Sequence, residues 1–438
     1  MKQNRKFQEE RSPASNQPKW SPPNLALAVL CIVLPLAGCG GGNSISDVGS
    51  APAITAQPAN ITVAELQPAS FSVTATGTAP LSYQWQRNGT PVAGATSATL
   101  AITSALPADH GARFSAVVTS SAGSVTSAEA VLTEELPVYL LAGQSNMEGN
   151  VDTTLFRSLL AELANGTGTG IEARLAEHIR YWHKDTNGGY AGYGYTPQMA
   201  ALEATELVRL NAAGLVGANL TTPNTKVLCS KNATAVLPLT TNCGNQFGPE
   251  LVFGQALSKA GYSTTSLIKV AYGGTNLYVD WRSPLSGGTV GPLYTQLRSR
   301  IQSLKVDPAS VNPSCKTQAC RWSAFVWFQG ESESFDSANG LSYEQNLKNL
   351  IADVRTDVGS PTLPVVIVQT GSWAQSLRFG KNVAAAQSTV VATDKYARIV
   401  TTSDLSGFYH YDPAAQLIIG ERVAKAVQAL LVSQDAAR

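Results

Sequence analysis

Charge is scarce in this sequence and nearly cancels. Charged residues make up 14% of the 438, and 31 Lys and Arg against 30 Asp and Glu leave a formal net charge of +1. That balance excludes the broad basic footprint that nucleic acid or an anionic polymer requires, and no nucleic-acid partner is expected. A neutral substrate suits it. Hydrophobic residues at 44% place the chain among folded proteins rather than disordered ones, and the length asks for two or more domains. Histidine is scarcer still, with four in the chain. The six cysteines form no C-x-x-C and have no histidine beside their candidate pairs, so zinc spacing is lacking and no metal is expected. Two glycine signatures also fail. No Gly-Lys-Ser/Thr follows Gly273-Gly274, which excludes a phosphate loop. In Gly143-Gln144-Ser145-Asn146-Met147, a methionine stands where the G-x-S-x-G nucleophile elbow needs its second glycine.

What is present begins with a targeting segment. Lys2, Arg5, Lys6, Arg11 and Lys19 outnumber Glu9 and Glu10, and Leu25 to Leu36 forms an apolar core too short to span a bilayer comfortably. It ends in Leu36-Ala37-Gly38-Cys39, which resembles the lipobox of bacterial lipoproteins. The resemblance implies removal of residues 1–38 and acylation of Cys39, hence an exported protein anchored in the bacterial envelope, with the outer membrane the expected site. The glycine-rich stretch 39–51 reads as a flexible tether. An ordinary signal peptide with a chance cysteine is the competing reading. With Cys31 discarded and Cys39 lipidated, Cys229, Cys243, Cys315 and Cys320 remain. An even count in an exported chain suggests disulfides, and local pairing, Cys229–Cys243 and Cys315–Cys320, is the simplest of three connectivities.

Residues 52–135 read as all-β. Phe71, Val73 and Ala75 alternate on one face; Leu100 and Ile102, then Phe114, Ala116 and Val118, do the same. With Trp85 on a central run and Asp109-His110-Gly111 ahead of Phe114, the region resembles an immunoglobulin-like sandwich. It departs from that pattern in having no cysteine pair: Ala116 stands where the second cysteine is usual, and Phe114 replaces the corner tyrosine. Its core must hold by packing. A spacer role is favoured over glycan binding, since nothing in it concentrates chemistry.

From Pro137 to about 433 the pattern changes. Short apolar runs ("VYLLAG", "TSLIKVAYGG", "SAFVWFQG", "LPVVIVQTG", "ARIVTTS") alternate with amphipathic stretches such as "YEQNLKNLIADVRTDV", where Leu347, Leu350, Ile351 and Val354 keep helical spacing. This predicts an α/β fold with a parallel sheet covered on both faces, and ligands at the carboxyl ends of its strands. Ser145, Gly273-Gly274, Gln329-Gly330-Glu331 and the region of His410 fall there. A serine hydroxyl needs a base and oxyanion donors. His110 lies in the sandwich, and His178 and His183 lie in a charged helical stretch. That leaves His410, just ahead of a C-terminal amphipathic segment. The paired glycines allow backbone N–H groups to approach a ligand; Gln329 can donate to an oxyanion and Glu331 can orient an imidazole.

Gly143-Gln144-Ser145-Asn146-Met147, Gly273-Gly274-Thr275, Trp327-Phe328-Gln329-Gly330-Glu331 and the His410 block resemble the SGNH hydrolases, in particular the sialate O-acetylesterase-like branch that includes carbohydrate esterase family six. The resemblance covers roughly Pro137 to Leu431. It implies a flavodoxin-like αβα sandwich and cofactor-free deacetylation of carbohydrate esters, with an acetylated carbohydrate as substrate. It implies Ser145 as nucleophile, His410 as base, and the Ser145 N–H, the Gly274 N–H and the Gln329 side chain as oxyanion donors. Where many members place an aspartate, three residues before the histidine, this chain has Gly407. Glu331 is then the first choice for the acid and Asp404 the second. Asp412 reads better as a helix cap, and a dyad without an acid stays open. Asn146, Gly273 and Trp281 are expected to bind substrate or support the serine loop. About a hundred residues separate Ser145 from Gly248, more than a βα connection needs; Tyr190, Tyr193, Tyr195 and Trp281 offer faces for stacking on sugars. A noncatalytic glycan binder, or an esterase for a non-sugar acyl group, are the rival functions. For the anchor, Cys39→Ser should release the protein from membranes or leave its precursor uncut; unchanged membrane partitioning of that variant would refute the lipidation.

Overall fold

The strands expected over 52–135 form a β-sandwich: β1 (Ala53–Ala56), β2 (Ile61–Ala64), β3 (Ala69–Ser72), β4 (Thr74–Thr76), β5 (Ser82–Arg87), β6 (Thr90–Pro91), β7 (Thr99–Ile102), β8 (Arg113–Ser120) and β9 (Gly123–Thr126). The structure is a computed structural model that describes residues 49–148, 210, 225–228, 237–238, 248–262, 265–311, 313–405 and 410–435. The chain divides into Met1–Val48 and Gly49–Arg438. The export signal and Cys39 therefore lie outside the described residues, as do Cys229, Cys243, Tyr190, Tyr193 and Tyr195. Most of the alternating residues meet as expected: Phe71, Val73, Leu100, Phe114 and Ala116 are buried in one core with Trp85, and Ile102 packs against it, whereas Ala75 and Val118 are not part of that core. Phe71 stacks on Phe114 with ring centroids 4.8 Å apart. In the β5–β8 pairing Trp85 lies opposite Ala116, the small residue at the missing cysteine position. The indole N–H of Trp85 donates to the Ser97 carbonyl at 3.0 Å, which satisfies the polar edge of a fully buried ring.

No linker separates this sandwich from the next sheet. Strand β10 runs unbroken from Ala130 to Gly143. Its first half pairs with β8 and β2, and its second half, from Leu136, enters a different sheet. The boundary expected near residue 136 thus falls inside a strand. Side chains reinforce the junction. Gln318 Nε2 donates to the Glu134 carbonyl at 2.9 Å, and Leu66 of the sandwich packs against the neighbouring core. The sandwich is joined to the larger sheet through the shared strand β10.

That sheet adds β11 (Thr225–Leu228), β12 (Leu237–Pro238), β13 (Thr265–Ala271), β14 (Cys320–Phe328), β15 (Val365–Val368) and β16 (Ala397–Val400). The spatial order is β12-β11-β13-β10-β14-β15-β16. Only the β11–β12 pair in this series is antiparallel. Setting that edge pair aside, the strands follow the order 2-1-3-4-5 of flavodoxin-like folds. Helices cover both faces: α1 (Ser145–Glu148), α2 (Glu250–Lys259), α3 (Pro292–Val306), α4 (Ser337–Val358), α5 (Ser372–Ser376), α6 (Gly380–Thr393) and α7 (Pro413–Asp435) are the longer or site-bearing ones. Alternate strand residues feed two cores. Tyr139, Leu141, Val326, Phe328 and Val366 face α2 and α7; Val138, Leu140, Phe325, Trp327 and Val365 face α3, α4 and α6. This is why these strands read as continuous apolar runs. The predicted stripe on α4, Leu347, Leu350, Ile351 and Val354, is buried in the second core, each such side chain contributing about 1.5–3 kcal/mol of transfer free energy. Asp336 caps that helix by accepting from the Asn339 N–H at 3.0 Å, and Gly359 ends it. The local disulfide Cys315–Cys320 forms just ahead of β14, with Cα atoms 5.6 Å apart.

Candidate active site

Three neighbouring parallel strands, β13, β10 and β14, end side by side, and the residues singled out in the sequence come directly after them. In the 2-1-3-4-5 order, β10 and β14 flank the switch point where the chain winds away to opposite sides and a crevice opens. Ser145 leaves β10 there and Glu331 leaves β14.

The turn that presents Ser145 is held on both flanks. The Gly143 carbonyl accepts from the Tyr272 N–H at 3.2 Å, and the Gln144 N–H donates to the Phe328 carbonyl at 3.1 Å. A Cβ on residue 143 would overlap the Phe328 carbonyl oxygen and press on Met147 Cβ. The strands converge so closely at this point that only glycine fits. The chain then coils into the single turn Ser145–Glu148, closed by Glu148 N–H to the Gln144 carbonyl at 2.8 Å. Met147 anchors the turn in the core.

A cavity of about 420 Å³ opens over this edge, lined by Gln144, Ser145, Gly273, Gly274, Glu331, Ser332, Phe335, Trp373 and His410. The structure thus brings together the expected nucleophile, the paired glycines, the carboxylate and the histidine, which come from four separate segments. Gly274 has a φ of +72°, and the space its missing side chain would occupy is empty. Among the described residues its N–H meets no acceptor. Burial holds the His410 imidazole below its ordinary value of 6.5, while the charge of Glu148 pulls the other way. The imidazole is therefore neutral, and basic, at neutral pH.

Glu331 is largely buried in the cavity wall, with Oε1 accepting from Asn146 Nδ2 at 2.6 Å. Its Oε2 is buried and has no partner among the described residues. Burial raises its pKa, opposed by the Asn146 hydrogen bond. No hydrogen bond joins His410 to Ser145 or Glu331 among the described residues, though all three line the one cavity. Asp404 stands apart. Both its oxygens are taken by Arg422, at 2.8 and 2.6 Å, and this pairing lowers its pKa. Asp412 caps α7, as expected, accepting from the Ala415 N–H at 2.9 Å.

Two expected roles need correction, and of the two offered for Asn146 its contacts favour support of the serine turn over substrate binding. Trp281 offers no stacking face: it is fully buried, edge-on to Trp327 with centroids 5.2 Å apart, and its N–H donates to Thr275 Oγ1 at 3.0 Å. Gln329 is fully buried too. Its Nε2 donates to the Thr275 carbonyl at 3.0 Å, to Glu333 Oε2 at 2.5 Å and to Gln144 Oε1 at 3.3 Å, so no N–H is left for an oxyanion. Both residues brace the Gly273-Gly274-Thr275 turn from behind. Asn146 is 2% exposed and does not line the cavity; its Oδ1 accepts from the Tyr411 N–H at 3.0 Å, so it ties the serine turn to the histidine segment.

Other residues of the site gave no signal in the sequence. Glu333 lies two positions after Glu331 and is fully buried, with burial raising its pKa to about 7. It accepts from the Leu277 N–H and from Gln329, fixing the glycine turn. Phe335 and Trp373 form an aromatic wall, centroids 5.8 Å apart, and Phe335 keeps 56% of its surface exposed. Phe335 lies in a turn and Trp373 in the five-residue helix α5, too short to carry a periodic signal; only the sheet edge explains why these two meet.

Comparison with known proteins finds carbohydrate esterases among those similar to parts of this chain. Residues 220–429 match the family described as "Carbohydrate esterase, sialic acid-specific acetylesterase". A probable carbohydrate esterase of Arabidopsis thaliana is 29% identical over 106 residues, which is 24% of this chain and 39% of that protein. Endoglucanase C of Cellulomonas fimi is 41% identical over 96 residues, 21% of this chain and 9% of that protein. The chain thus spans well under half the length of these curated relatives. Among solved structures, a carbohydrate acetylesterase from Xanthomonas citri is 14% identical with a TM-score of 0.39, covering 87% of this chain and 76% of that one.

Gly143→Ala tests the tightest constraint of the site. Overpacking costs about 1–3 kcal/mol, and here the obstacle is backbone. The variant should lose at least that much stability in urea titration and lose esterase activity with it. A wild-type midpoint would show that β10 and β14 can part without cost.

Proposed function

We propose that this protein removes O-acetyl groups from carbohydrates by a serine mechanism, a reading supported by the match of residues 220–429 to the family of sialic acid-specific carbohydrate acetylesterases. The observation that carries the reading is the single cavity shared by Ser145, Gly274, Glu331 and His410. A binding protein has no need of a nucleophile, a neutral imidazole and a free backbone donor at one spot.

In this reading Ser145 Oγ attacks the acetyl carbonyl carbon while His410 takes the hydroxyl proton. The carbonyl oxygen becomes an oxyanion and is held by the N–H groups of Ser145 and Gly274. Ser145 opens its helical turn, where N–H groups lack intrahelical acceptors. The carbon–oxygen bond to the sugar then breaks, and the sugar oxygen leaves with the proton from His410. Water repeats the sequence on the acetyl-serine, giving acetate and the free hydroxyl. Glu331 is the proposed acid partner: it lines the cavity and its Oε2 is uncommitted, whereas Asp404 has both oxygens on Arg422. The wall of Phe335 and Trp373 offers a sugar ring an apolar face.

Ser145→Ala and His410→Ala should each abolish acetate release from acetylated polysaccharides and O-acetylated sialic acids, since nucleophile and base act as one unit. Glu331→Gln should lose activity by orders of magnitude and Asp404→Asn should lose little; the reverse ranking moves the acid role to Asp404. Neutral His410 is the active form, so kcat/KM should fall as pH drops through a value below 6.5. Phe335→Ala should raise KM for the polysaccharide and leave p-nitrophenyl acetate turnover unchanged. If none of these substrates releases acetate but an aliphatic acyl ester is cleaved, the sugar reading is wrong.

A further inference from the structure

Glu148 closes the turn that begins at Ser145, and the proposed reaction gives it no task. Its Oε2 accepts from the Gly273 N–H at 2.9 Å. Its main-chain carbonyl accepts from Lys269 Nζ at 3.0 Å. Lys269 is buried on β13, where its ammonium also meets the buried Glu250 carboxylate at 2.8 Å. Glu250 Oε1 in turn accepts from the Gly248 N–H at 3.0 Å. A buried lysine is tolerated only when its charge is paired and its donors are used. Lys269 thereby fixes the backbone of Glu148 from beneath, and the Glu148 carboxylate reaches forward to the glycine turn.

The consequence is a division of labour between two adjacent backbone donors. The Gly273 N–H is committed to Glu148. Gly274 lines the cavity, and its N–H meets no described acceptor. An oxyanion donor works when it is already fixed where the charge develops. Gly274, with its φ of +72°, belongs to a turn that needs such fixing from outside. Gln329 and Trp281 brace the turn through Thr275, on its far side. Glu148 braces it on the near side.

We infer that Glu148 is a positioning residue: by holding the Gly273 N–H it aims the Gly274 N–H at the substrate carbonyl. This rests on the acetylesterase reading. A carboxylate beside a developing oxyanion is unfavourable in itself; its hydrogen bond to Gly273 and the Lys269 ammonium behind it offset that cost. The charge of Glu148 acts on His410 and favours the imidazolium that forms when Ser145 gives up its proton, while Glu331 lines the same cavity.

The test uses full-length Glu148→Ala and Glu148→Gln with p-nitrophenyl acetate, beside wild type and Ser145→Ala. Loss of one oxyanion donor costs roughly 100- to 1,000-fold in kcat. Misaiming it by Glu148→Ala should cost at least about 10-fold in kcat, with KM within about 2-fold. Glu148→Gln keeps an amide oxygen able to accept from Gly273 and should recover most of kcat. Without the negative charge, its acid limb should also move to lower pH. Hydrogen exchange across 272–275 should speed up in Glu148→Ala and stay near wild type in Glu148→Gln. Wild-type kcat and exchange in Glu148→Ala, or a Glu148→Gln as impaired as Glu148→Ala, overturns the inference. Should Glu148→Ala fail to fold, Glu148→Gln decides alone: kcat within about 3-fold of wild type supports the role, and a larger loss overturns it. If wild type cleaves no acetyl ester, the esterase reading fails, while the exchange measurement still reports whether Glu148 holds the turn.

Discussion

Asn146 joins the parts of this site that the chain brings from far apart. Its amide donates to Glu331 beyond β14, its side-chain oxygen accepts from Tyr411 next to the histidine, and its carbonyl accepts from Gln416 on α7 at 3.1 Å. One buried side chain thereby fixes the serine turn, the carboxylate and the histidine segment relative to one another. Each of these bonds is short of solvent competition, and losing one leaves a buried polar group whose desolvation costs about 1–3 kcal/mol. Three of the segments that line the cavity or flank it meet at this junction.

Around that junction the sheet supplies position and the turns supply chemistry. Strands β13, β10 and β14 end together because parallel strands in this order leave their connections at one edge. Gly143 lets β10 approach β14, and Gly274 lets the backbone turn with a positive φ at the cavity wall. Behind them a layer of buried polar groups, Gln329, Glu333, Trp281 and Lys269, holds the backbone through hydrogen bonds rather than touching the cavity. The sandwich ahead of the site contributes no lining residue, but it shares β10 and so is fixed to the same sheet.

The periodic features were legible in the sequence. Apolar runs alternating with amphipathic stretches place the parallel sheet, and the stripe Leu347, Leu350, Ile351 and Val354 is buried as its spacing requires. Ser145, Gly274, Glu331 and His410 are visible because each ends a strand or precedes a helix. The second layer was not legible. Gln329 and Trp281 have side chains suited to a ligand, and only the fold shows their donors turned to Thr275. Phe335 and Trp373 lie far apart in sequence and meet only through the sheet edge. Residue type announces what a side chain can bind; which partner it finds is settled by backbone that arrives from elsewhere.

In the proposed reaction Ser145 carries the acetyl group between two half-reactions. Rapid acid quench of full-length protein mixed with p-nitrophenyl acetate, followed by peptide mass spectrometry, should then find an acetyl adduct on the peptide containing Ser145, forming at the rate of the initial burst and absent in His410→Ala. An adduct on another residue, or acetyl transfer to Ser145 that proceeds unchanged without His410, would contradict it.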